Sequence, residues 1–228
     1  MKNLICLCCI SLLLSCGQQQ KDTAQLNHFL ALGDSYTIGE SVADSLRWPN
    51  QLVKRLNQNK KIFTEATIIA KTGWTTDELM QGINTAALKD KYDYVSLLIG
   101  VNNQYRGRDI ENFKVEFIEL LEKSIALAGN DKEKVFVLSI PDWGVMPFAR
   151  ERDQEKIKRE IDAFNRVVKN SCAQYKVAFF DITPISRAAA VEPVLIASDG
   201  LHPSGEMYAR WVEYIINFIK IEANSERK

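Results

Sequence analysis

Two histidines, His28 and His202, are all the imidazole that the 228 residues contain. Zinc sites built from clustered His and Cys are excluded by that scarcity, and so is the H-E-x-x-H helix of metallopeptidases. Cysteine is nearly as sparse. Of five, Cys6, Cys8, Cys9 and Cys16 crowd the N-terminus, and Cys172 is left without a partner for an internal disulfide. It lies in a long helix-patterned stretch, where a small packed residue is a simpler reading than a nucleophile. Neither sign of charge prevails, since 29 Lys and Arg balance 29 Asp and Glu. Broad nucleic-acid binding needs a basic footprint and is excluded on that ground; a small neutral substrate is not. The chain also lacks G-x-S-x-G, G-x-x-x-x-G-K-[ST] and G-x-G-x-x-G. The nucleophile elbow of α/β-hydrolases and the common phosphate-binding loops therefore have no support.

What is present begins with a separate N-terminal segment. Met1-Lys2-Asn3 is a short basic start, and residues 4–14 form an apolar run. That run is too short for a bilayer core of roughly 30 Å and reads as part of a signal peptide over residues 1–15. Leu13-Leu14-Ser15-Cys16-Gly17 resembles a bacterial lipobox, which implies cleavage before Cys16 and lipidation of its thiol. More than one acyl chain gives stable anchoring. Residues 16–26 then read as a polar tether and residues 27–228 as one globular domain, with an ordinary 46% hydrophobic and 25% charged composition. The expectation is a lipid-anchored protein of the bacterial cell envelope, facing the periplasm or the cell exterior.

Within the domain, apolar runs at residues 28–33, 67–70, 94–99, 135–140 and 177–180 alternate with amphipathic stretches at 49–56, 110–127, 150–175 and 203–221. Thr75-Thr76-Asp77-Glu78 has capping-box spacing and opens a further helix. Near-continuous apolar runs suit buried parallel strands covered on both faces. Their alternation with helices predicts an α/β fold with a five-stranded, mostly parallel sheet. Ligands of such sheets bind beyond the carboxyl ends of the strands, so reactive residues should follow the runs.

Gly33-Asp34-Ser35-Tyr36 follows the first run. A serine at a strand-to-helix turn can expose its hydroxyl beside amides that face a developing negative charge, although the same residues also make ordinary turns. A serine nucleophile needs a base. His28 sits at the opposite end of the first strand, which leaves His202 in Ser198-Asp199-Gly200-Leu201-His202-Pro203. Asp199 is spaced to accept the Nδ1–H, fix the tautomer and stabilise an imidazolium; a loop histidine beside a capping aspartate is the plainer alternative. Pro203 is expected to open the last helix and pin His202 at its start. Two segments could supply oxyanion donors: Lys71-Thr72-Gly73-Trp74 through its backbone and Gly100-Val101-Asn102-Asn103 through a side-chain amide. Each also fits a plain turn. Trp74, Trp143 and Arg106 are candidate substrate contacts, a wall for an acyl group or sugar and a cation for an anionic head group. The rival readings are a packed loop and a surface ion pair. Asp34 with Asp199 as a glycosidase carboxylate pair is less economical, given the serine and histidine beside them.

Taken in order, the blocks around Ser35, Gly73, Asn102 and His202 resemble the SGNH, or GDSL, hydrolase family over most of residues 28–221. The resemblance implies a flavodoxin-like three-layer α/β/α sandwich. It implies Ser35 as nucleophile, Asp199 and His202 as the base, and an oxyanion hole made by the Ser35 and Gly73 amides and the Asn102 side chain. The reaction it implies is hydrolysis of carboxylic (acyl or acetyl) esters through an acyl-enzyme, without metal or cofactor, on small-molecule, lipid or glycan esters. The same residues would serve an acyltransferase, and a chain that had lost the chemistry would be a lipid-anchored binding protein. Tyr36 stands where the GDSL name has Leu, and Asn103 where Asp often follows. Both departures bear on subfamily and substrate.

Overall fold

The computed structural model describes residues 26–225 of the chain. The leader at 1–15, the lipidation candidate Cys16 and the tether at 16–26, except Leu26, lie outside the described residues. The elements run β1 (Phe29–Gly33), α1 (Ser35–Ile38), α2 (Trp48–Leu56), β2 (Thr67–Ala70), α3 (Thr76–Thr85), β3 (Tyr94–Leu98), α4 (Val101–Tyr105), α5 (Ile110–Leu127), β4 (Val135–Leu138), α6 (Gln154–Tyr175), β5 (Ala178–Phe180), α7 (Thr183–Arg187) and α8 (Gly205–Ser225), with short 3₁₀ turns between them.

All five strands pair in parallel, in the order β2-β1-β3-β4-β5. The β1–β3 register, Phe29 opposite Tyr94 through Gly33 opposite Leu98, ends both central strands level with one another. Their connections leave in opposite directions there, which is the switch point of a flavodoxin-like order. β1, β3 and β4 are buried at every residue, whereas the edge strands β2 and β5 are half-buried. This is why the central runs read as unbroken apolar sequence.

Helices cover both faces. α2 packs on α8 along one face, where Phe29 stacks on Phe136 (5.9 Å) and both meet Trp48. Phe218 closes over Phe136 and Phe180 at 6.2 and 5.5 Å. On the other face α5 packs between α3 and α6, with Phe113 only 4.6 Å from Phe164. The three-layer sandwich expected from the sequence is therefore the fold.

Two helix starts differ from expectation. α6 begins at Gln154 rather than near Arg150, because the Asp153 carboxylate accepts the Lys156 amide and caps the helix there. Pro203 does not open the last helix. It forms an isolated antiparallel bridge with Ile196, and α8 starts at Gly205 after Ser204 Oγ accepts the Met207 amide.

Candidate active site

Ser35 is the first residue of α1, immediately beyond β1. The Asp34 Oδ1 atom accepts the Tyr36 amide at 3.0 Å and caps this single turn. As a first-turn residue, Ser35 has an amide with no acceptor inside the helix. The side chain is buried, at 5% exposure.

His202 reaches the same place from the far end of the chain. Its loop closes on itself: Ala197 N–H donates to His202 O (2.8 Å), Gly200 N–H to Ala197 O (3.1 Å) and Ser204 N–H to Leu195 O (2.8 Å). Within it, Asp199 Oδ1 accepts the amides of Leu201 (2.9 Å) and His202 (3.0 Å), and Asp199 Oδ2 lies 2.6 Å from His202 Nδ1. Ser41 Oγ donates to that same Oδ2 at 2.7 Å. Partial burial opposes ionisation of Asp199, but the hydrogen bonds from Ser41, His202 and the two amides outweigh it. They hold the carboxyl well below the usual carboxylate range. An ionised acceptor fixes the proton on Nδ1 and leaves the Nε2 lone pair free to act as a base. Tyr36 meets the imidazole edge-on at 5.7 Å.

Asn102 follows β3 on α4. Gly100 precedes it with φ +126°, and a side-chain carbon there would lie 2.8 Å from Phe113 and from Ile140. Both backbone and space demand glycine. Asn102 Nδ2 donates to Trp74 O at 3.0 Å, which uses one of its two N–H groups. Arg106 Nη2 donates to Gly73 O at 2.6 Å, and Asn103, fully buried, donates through Nδ2 to Thr76 Oγ1 at 2.7 Å. The segment after β2 is thus clamped from α4, with Gly73 at φ +87°.

Ser35, Asn102, Trp143 and His202 line one cavity of about 210 Å³, together with Tyr36, Val101, Tyr105, Phe148 and Leu201. Asp199 joins through His202. Among the described residues, Ser35 Oγ makes no direct hydrogen bond to His202; such bonds tighten when substrate fills a site. Gly73, Trp74 and Arg106 are not among the lining residues. The Trp74 indole lies on Gly82 of α3, and Arg106 also faces Glu78 at 3.4 Å, so its guanidinium is engaged by protein acceptors. Trp143 is held by Gln104, whose Oε1 accepts the indole N–H at 2.8 Å and whose Nε2 reaches Glu160. Ser41, Gln104 and Tyr105 carry no sequence signal of a site role, because each acts through a partner distant in the chain or by shape alone.

The other histidine and Cys172 stand apart. His28 meets Thr64 at the amino end of β1. Cys172 is fully buried, which pushes its thiol up to about 12. No group of three or more His, Cys, Asp or Glu side chains among the described residues is placed to hold a metal ion.

A profile of the GDSL-like Lipase/Acylhydrolase family matches residues 31–210. An acetylxylan esterase of Geobacillus stearothermophilus is 26% identical over 153 residues, covering 64% of this chain and 64% of that protein, just under two thirds of its length. Among solved structures, the lipase/acylhydrolase from Enterococcus faecalis superposes with a TM-score of 0.63 at 24% identity, over 86% of this chain and 97% of the other. The psychrotrophic esterase EstA from Pseudoalteromonas sp., solved inhibited by monoethylphosphonate, gives 0.65 at 16% identity, over 87% and 99%. At these identities the two structures speak for a shared fold.

Proposed function

Because the chain belongs to the GDSL-like lipase/acylhydrolase family, we propose that it is a serine esterase that cleaves carboxylic esters through an acyl-enzyme on Ser35. The observation that carries the reading is convergence. Ser35 from the start of the domain, Asn102 from its middle and His202 from its end line one cavity, and His202 is oriented by an ionised Asp199 at 2.6 Å.

In this mechanism Nε2 of His202 takes the Ser35 proton as Oγ bonds to the ester carbonyl carbon. The carbonyl oxygen becomes an oxyanion, held by the Ser35 amide and the remaining Asn102 N–H, with the Gly73 amide, on the loop that Asn102 grips just outside the cavity lining, as the third donor. Collapse of the intermediate breaks the ester C–O bond, and the imidazolium gives its proton to the departing alcohol. Water, deprotonated by His202, then attacks the acyl-enzyme and releases the acid with Ser35 restored. Asp199 stays ionised and stabilises the imidazolium in both halves.

The cavity walls of Tyr36, Tyr105, Trp143 and Phe148 suit a small acyl group with an apolar or sugar-ring alcohol stacked at the mouth. The acetylxylan esterase relative makes acetylated glycan the first polymer to test. Lipidation of Cys16 would tether this chemistry to the bacterial envelope.

Ser35→Ala should cut turnover of p-nitrophenyl acetate by roughly a thousandfold or more while the melting temperature stays unchanged. A series of longer acyl chains and an acetylated xylan would rank the substrates. Activity retained in the alanine variant would sink Ser35 as the nucleophile.

A further inference from the structure

We propose that Ser41 is a positioning residue of this hydrolytic site: its hydroxyl aims the Asp199 carboxylate, and through it the His202 imidazole, at Ser35. The inference rests on the esterase reading above and adds a residue outside the sequence blocks that carry it.

Among the described residues, the Asp199 carboxylate has four donors. Three belong to its own loop, the amides of Leu201 and His202 and the His202 Nδ1–H. The fourth, Ser41 Oγ, comes from the segment that carries the nucleophile, 158 positions away in sequence. Among the described residues it is the one hydrogen bond between residues 34–42 and residues 195–204. Ser41 and His202 share the same acceptor oxygen, Oδ2. Two donors converging on one oxygen fix the plane of the carboxylate, and the carboxylate fixes the plane of the ring.

The backbone at Ser41 points the same way. Its φ is +63°, in the left-handed region that serine avoids. The other two non-glycine residues with positive φ among the described residues have local reasons, since Asn130 is a type that tolerates the conformation and Lys176 caps α6. Ser41 caps no helix, and glycine would fit the turn with less strain. A strained residue whose hydroxyl lands on a reactive carboxylate is strain placed for a purpose. The neighbouring Glu40 accepts a hydrogen bond from Thr72, next to Gly73. The turn after α1 therefore ties the nucleophile both to the base and to the donor loop.

The test separates position from folding. Ser41→Gly removes the hydroxyl and relieves the backbone, so the melting temperature should hold or rise while kcat falls about tenfold and KM stays within about twofold. Ser41→Ala should show the same kcat loss with a slightly lower melting temperature. The low-field proton resonance of His202 Nδ1 should move in both variants. Ser41→Gly with kcat within about twofold of the parent overturns the inference, and so does a kcat loss accompanied by a lower melting temperature in that variant. If Ser35→Ala is dead in the same assay, the esterase reading survives either outcome. A parent chain with no turnover and no fluorophosphonate label on Ser35 overturns both.

Discussion

Asp34 and Asp199 are the same side chain driven in opposite directions by their surroundings. Burial of Asp34, only partly opposed by backbone hydrogen bonds, pushes its carboxyl up from 3.8 to about 7. Its Oδ2 atom is buried without a partner among the described residues. The folded state thus prefers Asp34 neutral. Its contribution is full below pH 3.8, declines as pH rises, and is gone above about pH 7. That span corresponds to at most about 4 kcal/mol. Asp199 behaves in reverse, stabilising above its ordinary value and ceasing to as pH falls through its depressed one. Asp34→Asn should therefore flatten the fall in melting temperature between about pH 4 and about pH 7, and parallel slopes in parent and variant would refute this. At this scale the sequence was legible where a residue type is rare or follows a strand, as for His202, Ser35 and Asn102. It was silent on Ser41 and Gln104, whose partners lie 158 and 39 positions away. No local pattern encodes such distances.

α3 shows how an element holds a loop that is not its own. Gly82 lies beneath the Trp74 indole, and an added side-chain carbon would come within 2.7 Å of Cζ3. Alanine in place of a mid-helix glycine would gain about 1 kcal/mol of helix propensity, against an overpacking cost of typically 1–3 kcal/mol. The clash should win. Gly82→Ala is expected to lower stability by about 1 kcal/mol and to lower kcat, because a displaced Trp74 drags Gly73 with it. A more stable variant with unchanged kcat would mean that the indole swings freely. The long helices were legible from periodicity; α5 occupies the stretch 110–127 that its apolar spacing marked out. α1, α4 and α7, at four or five residues, are too short to show a period. The start of α8 was displaced by a bridge between Ile196 and Pro203 that no helix signal announces.

Across the whole molecule, five apolar runs were enough to foresee a parallel sheet, but not the order in which the strands lie. That order places β1 and β3 side by side, so Ser35 and Asn102 emerge from adjacent strand ends at the switch point. The N-terminal readings remain a proposal about where this assembly resides. Cys16→Ser, expressed in a bacterium fed labelled palmitate, should lose the label and move from the membrane to the soluble fraction; an unlabelled parent chain would end the anchoring idea. The self-closed loop carrying His202 has a consequence for how such an enzyme can vary. Its carboxylate, imidazole and internal bonds travel as one cassette, fastened at Leu195–Ser204 and Ile196–Pro203. Lengthening the linker that precedes it would leave the couple inside intact, provided that the Ser41 hydroxyl still meets Asp199. Insertions before the cassette are then tolerated by the proton chemistry only so far as that single tether is kept.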